Sequence, residues 1–185
     1  MKLLNIVTRL GLIVSIGIWG LGCDKAGPVE TADAPKDQAP QLIKLPPSDA
    51  LRKVVSVTKR ITVRDGGRLE LTSFGWGSFV SASLTFHKWA VSRDVDITMT
   101  LDDQTLTFDF DPDGISFTKP ATLDVYARGL NLWGIPPWKK VKLFYIDNGE
   151  WVEMKTGRIS VNAWFGELSC ENGEIPHFSR YAFGY

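Results

Sequence analysis

From about Leu51 onward, apolar residues recur at every second position, in runs such as "VVSVTKRITV", "RLELTSF", "FVSASLTF" and "DVDITMTL". No other feature constrains the chain so strongly. Side chains alternate across a strand, so each run offers one face to a core and one to solvent. "QTLTFDF", "ATLDVYA", "VKLFYID", "EWVEMK", "RISVNAWF" and "GELSC" continue the pattern, and Asp65-Gly66-Gly67, Asp102-Asp103, Asp113-Gly114 and Asn148-Gly149 punctuate it. The last pair is a two-residue hairpin signal. No stretch holds a helical period over three turns, and no internal repeat is visible. Short strands spaced about eight to twelve residues apart predict an all-β fold, a single β-sandwich of roughly ten strands. A chain of 185 residues, 44% of them hydrophobic, has room for one such domain, placed at residues 51–185.

Upstream the alternation stops. Residues 24–50 hold five of the ten prolines among alanines and acids, a composition that reads as an extended tether. Before it, Lys2 and Arg9 make a positive stretch ahead of the apolar "LGLIVSIGIWGL", which is too short for a comfortable membrane span and typical of a secretory signal. "GLGC" at Gly20 to Cys23 resembles the lipobox of bacterial lipoproteins, with Gly20 where leucine is usual. The resemblance implies a signal peptide at 1–22, a diacylated Cys23 opening a tether at 23–50, and a membrane held through that lipid. Asp24 resembles an inner-membrane retention signal, which implies a periplasmic location if the host is Gram-negative. Two other readings stay open, a plain signal peptide and an uncleaved anchor from about Leu3 to Gly22. The only other cysteine, Cys170, is then without a disulfide partner and reads as a small buried residue.

Charge and motifs exclude several classes. The formal net charge is zero; with Lys2 and Arg9 set aside, 19 bases face 21 acids, so no electrostatic footprint for nucleic acid is visible, and the overall balance argues against a polyanion or an anionic-membrane partner. Asp109, Asp111, Asp113 and Gly114 imitate the start of a calcium loop, but Pro120 stands where the closing acid belongs, and a solvated turn is the better reading. No metal site, cofactor motif or nucleophile elbow is present, and His87 stands alone in a connection. Trp76, Trp89, Trp151 and Trp164 lie in or beside strands and are expected in the core, as is Phe117. Trp133 and Trp138 belong to "GLNLWGIPPWKK", whose paired prolines exclude it from a sheet. That loop reads first as a cover for one end of the sandwich, and second as an exposed contact for a partner, a glycan or a bilayer.

"GGRLELTSF", "DPDGISFTKPATLDVYA", "VKLFYIDNGEWVEM" and "IPHFSRYAF" together resemble the ZU-five domain, the β-sandwich of zonula occludens proteins, ankyrins and netrin receptors. The likeness runs through most of residues 60–185 and is most specific at Gly114, Phe117, Pro120, Trp151, His177-Phe178-Ser179 and Tyr181. It implies a non-enzymatic module that binds an envelope protein or serves structurally. Some animal members cut themselves at His-Phe-Ser, which by resemblance puts the scissile bond between Phe178 and Ser179, with His177 assisting. A glycan-binding sandwich using Trp133 and Trp138 is a third reading.

Simple strand geometry bears on the cleavage alternative. His177 and Ser179 share a strand face but stand about 6.6 Å apart along a regular strand, whereas proton transfer needs roughly 2.6–3.2 Å or one bridging water. A kink is therefore required. Glu171 or Glu174 could orient the imidazole of His177, but the sequence demands neither. Without a kink the segment reads as the strand that closes the sandwich.

Overall fold

The computed structural model describes residues 39–46, 55–75, 77–102, 104–154 and 157–185. Cys23, the signal segment and Trp76 lie outside the described residues. The alternating runs are strands: β1 Val55–Ile61, β2 Gly67–Gly75, β3 Ser78–Phe86, β4 Val95–Leu101, β5 Thr107–Asp111, β6 Ser116–Arg128, β7 Lys142–Asp147, β8 Glu150–Glu153, β9 Arg158–Asn162, β10 Glu167–His177 and β11 Arg180–Gly184. They form a six-stranded sheet in the order β1-β4-β5-β11-β7-β8 and a five-stranded sheet in the order β2-β3-β6-β10-β9. Every strand pairing is antiparallel. The fold is an all-β sandwich. Among the described residues no helix is long and apolar enough to cross a membrane.

Parity explains the packing. Val80, Ala82, Leu84 and Phe86 of β3 and Ala121, Leu123, Val125 and Ala127 of β6 are buried on one side of the sandwich. Ile97, Met99 and Leu101 of β4 and Phe108 and Phe110 of β5 join the same core cluster from the other sheet. Each large apolar side chain removed from water in this way contributes about 1.5–3 kcal/mol. Asn148 and Gly149 turn β7 into β8 with φ of 49° and 85°, the two positive values that a type I′ hairpin requires. Pro120 is accommodated inside β6 because neither ladder uses it. The β3 pairing starts at Thr122, and the β10 register shifts between Ile175 and His177. Cys170 is buried in the core, and burial pushes its thiol up to about 11.

Three expectations change. Residues 39–46, assigned to the tether, belong to the sandwich: Leu42 bridges Gly184, Ile43 is buried, and its amide donates to Phe183 O at 2.9 Å. The prolines on either side hid the short apolar run "QLIKL". Trp89 and Trp164, expected in the core, are exposed. β9 stops at Asn162, which leaves Trp164 in a turn, while Trp89 has φ of 65° in the connection after β3. Trp151 is only half-buried, because β8 is an edge strand with a neighbour on one side. Phe117 does pack inward, with its ring 5.3 Å from Phe86 and 4.9 Å from Phe178.

Candidate functional site

The His-Phe-Ser segment is a corner between the two sheets. β10 ends at His177 in the five-stranded sheet and β11 begins at Arg180 in the six-stranded one. Phe178 and Ser179 therefore make a turn, the departure from a regular strand that the cleavage alternative requires, and the closing strand β11 starts only after it. Phe178 is 4% exposed, stacked 5.7 Å from Phe110 and edge-on to Phe117 and Phe86. Its amide donates to Ile115 O at 2.9 Å. Tyr181 at the start of β11 donates its hydroxyl to His177 O at 2.7 Å, a reach-back that pins a sandwich corner. Burial holds the Tyr181 hydroxyl well above the usual phenol range, so it stays a donor.

Ser179 and His177 face different partners across this corner. Ser179 Oγ donates to Ile146 O at 2.6 Å. Ile146 lies just past the last β11–β7 register pair, Tyr181 with Tyr145, so the serine satisfies a carbonyl that the ladder leaves over. A peptide carbonyl does not take the proton away, and a nucleophilic serine needs a base that does. His177 Nδ1 instead lies 3.4 Å from Phe178 O, the carbonyl of the bond in question, and its ring sits beside Tyr145 at 5.0 Å. Glu171 and Glu174 are both exposed on β10.

The calcium-like aspartates are otherwise engaged or exposed. Arg180 Nε and Nη2 donate to Asp109 Oδ1 and Oδ2 at 2.7 and 3.2 Å, and Asp111 and Asp113 face solvent. Among the described residues no cluster of metal-ligating side chains occurs.

Exposed aromatic side chains gather at the opposite end of β10. Here the connection from β6 to β7, residues 129–141, meets the β9–β10 turn, residues 163–166. Leu130 and Leu132 are buried and Ile135 packs on the core, so the apolar positions of this loop do cover the sandwich. Its tryptophans point the other way, with Trp133 63% and Trp138 80% exposed. Trp164 at 80% and Phe165 at 73% exposure extend the cluster from the neighbouring turn. The Trp133 and Trp164 rings meet at 4.9 Å, edge to face at 78°. Leu130 N donates to Gly166 O at 3.0 Å and ties the two loops together. Gly166 has φ of 61°, and a Cβ there would collide with Leu130 O, so glycine lets the loops approach.

A second aromatic group lies on the outer face of the five-stranded sheet, near the same end. Phe74 is 79% exposed. Its ring is 5.0 Å from Phe79, which is 6.1 Å from Tyr126, and Arg128 lies over the Phe79 ring at 5.8 Å. Tyr126 donates to Glu167 Oε1 at 3.0 Å, and that bond raises its pKa. Sequence reasoning missed this row. The available signal was parity: Phe74 falls in step with Arg68, Glu70 and Thr72, Phe79 with Ser81 and Thr85, and Tyr126 with Asp124. No family model matches the chain, and no curated protein or solved structure matches it significantly, so the functional reading rests on these side chains.

Proposed function

We propose that the chain is a lipid-anchored envelope protein whose sandwich is a non-enzymatic protein-binding or structural module. The observation that carries this reading is the outward row Phe74, Phe79 and Tyr126 with Arg128 beside it. Aromatic residues and arginine are the types most enriched where proteins bury their interface hot spots. On a sheet face the other outward positions are polar, so three aromatics there serve contact rather than folding. The lipobox-like "GLGC" supports the anchor and an envelope partner.

Self-cleavage has one observation in its favour, the His177 Nδ1 contact with Phe178 O, which would polarise the scissile carbonyl. Against it stands the Ser179 hydroxyl, committed to Ile146 O. A glycan platform on Trp133 and Trp138 is less well supported, because Trp133 meets Trp164 edge to face rather than as a flat pair.

A photo-crosslinking residue at position 126 in the full chain, in native envelopes, tests the leading reading. It is expected to trap one dominant protein, and Phe74→Ala should weaken that band. A crosslinker at exposed Thr58, on the other sheet, should not trap it. Equal trapping at both positions would refute the assigned face.

A further inference from the structure

The loop end differs from the sheet face in its chemistry and fits a different surface. We infer that the end carrying Trp133, Trp138, Trp164 and Phe165 seats at the headgroup level of an anionic lipid bilayer.

Where the chain enters the sandwich is the first support. Gln41 and Tyr185 exchange amide hydrogen bonds of 3.1 Å, and a Cβ on Gly184 would stand 3.1 Å from Pro40. Lys139 Nζ lies 5.7 Å over the Tyr185 ring. Ala39 and the tryptophan loop therefore share one end of the sandwich. Cys23 precedes Ala39 by sixteen residues, and a chain of that length spans at most about 55 Å however it runs. The tether joins the sandwich at this end, so a lipid on Cys23 leaves it a shorter reach to the membrane than the His-Phe-Ser corner has.

Side-chain chemistry is the second support. Tryptophan concentrates at membrane interfaces, where an apolar ring body and a polar N–H meet their matching layers. Residues 129–141 and 163–166 carry Lys139 and Lys140 and no acid, although the chain as a whole is neutral. Both lysines are exposed directly after Trp138. Aromatic rings flanked by amines match an acyl boundary beneath anionic phosphates. The edge-to-face rings offer wedges for insertion and no flat pair for a sugar ring. The geometry also places the Phe74–Tyr126 row close to the bilayer, where a membrane partner would meet it.

This inference rests on the anchor reading only for delivery of the domain to the membrane. Its test uses the full chain in vesicles of phosphatidylethanolamine and phosphatidylglycerol, with an environment-sensitive fluorophore on Phe165→Cys. The same label on Thr58→Cys is the control. The label at 165 is expected to shift to shorter wavelength and to be quenched by spin-labelled lipid, while the label at 58 is not. Trp133→Ala with Trp138→Ala should reduce the quenching, and Lys139→Gln or Lys140→Gln should each weaken it about fivefold in the Cys23→Ala chain added from outside. Intact mass separates the two readings. Acyl mass on Cys23 with no quenching at 165 overturns the membrane seat and leaves the anchor standing. Quenching at 165 without acyl mass supports the seat and overturns the anchor. A label at 165 that ignores vesicles but shifts with peptidoglycan fragments or with a crosslinked protein also overturns the membrane seat.

Discussion

The two ends of this sandwich are both rich in aromatic rings and use them in opposite ways. At the corner, Phe178 sits among Phe86, Phe110 and Phe117, and ring faces are spent on one another. At the loop end, Trp133, Trp138, Trp164 and Phe165 keep most of their surface in water, while leucines beneath them close the core. The residues that look most like chemistry in the sequence hold the fold together, and those that look like packing are left free for contact. Residue type alone does not separate the two uses. Position relative to the sheet ends does.

Stability gives the sharpest test of that contrast. Phe178→Ala should cost about 3–5 kcal/mol, since it empties the centre of an aromatic cluster. Trp164→Ala should cost less than about 0.5 kcal/mol, because its ring is exposed. Urea midpoints measure both, and similar losses would dissolve the comparison. Next in size are the hydrogen bonds of the corner. Tyr181→Phe and Ser179→Ala each remove a donor from a carbonyl, His177 O and Ile146 O respectively, for an expected loss of about 1 kcal/mol each. Intact-mass measurement of the same proteins is expected to show the wild-type chain whole. Release of "SRYAFGY" that Ser179→Ala abolishes would turn the corner from a structural joint into a cleavage site.

A smaller effect should appear in acid. Burial works to raise the Asp102 carboxyl, but the amides of Gln104 and Thr105, the Thr105 hydroxyl and the charge of Arg180 outweigh it, so its pKa lies below the ordinary 3.8. A depressed carboxylate stabilises the fold above its unfolded pKa, and that contribution fades as pH falls through the lower folded value. Asp102→Asn should therefore lower the urea midpoint at pH 7 and leave a smaller difference from wild type near pH 3. A difference that grows in acid would reverse the sign. The aspartate holds the β4–β5 loop against which residues 43–45 dock, with Leu106 N donating to Ile43 O at 2.8 Å.

How far the sequence reaches is visible in particular residues. The Asn148-Gly149 hairpin was legible because both positive φ values arise within two neighbouring positions. The strand faces of β3, β4 and β6 were legible for the same reason, since period two is a local property of the chain. Trp164 is exposed against expectation because β9 ends two residues before it, and strand ends depend on where a partner stops pairing. The outward aromatics Phe74, Phe79 and Tyr126 were each legible by parity, yet their meeting was not. They come from β2, β3 and β6, and only the ladder order places them side by side.

Alternation and turn chemistry by themselves determined that this chain makes antiparallel strands and a two-layer core, because both act over a few residues. Tertiary structure decided the rest. It set β11 between β5 and β7, brought Ile146 to Ser179 and Asp109 to Arg180, folded residues 39–46 into the six-stranded side, and gathered four exposed aromatics at the end where the chain enters. Those contacts join positions tens of residues apart, and their free energy exists only once the sheets have closed.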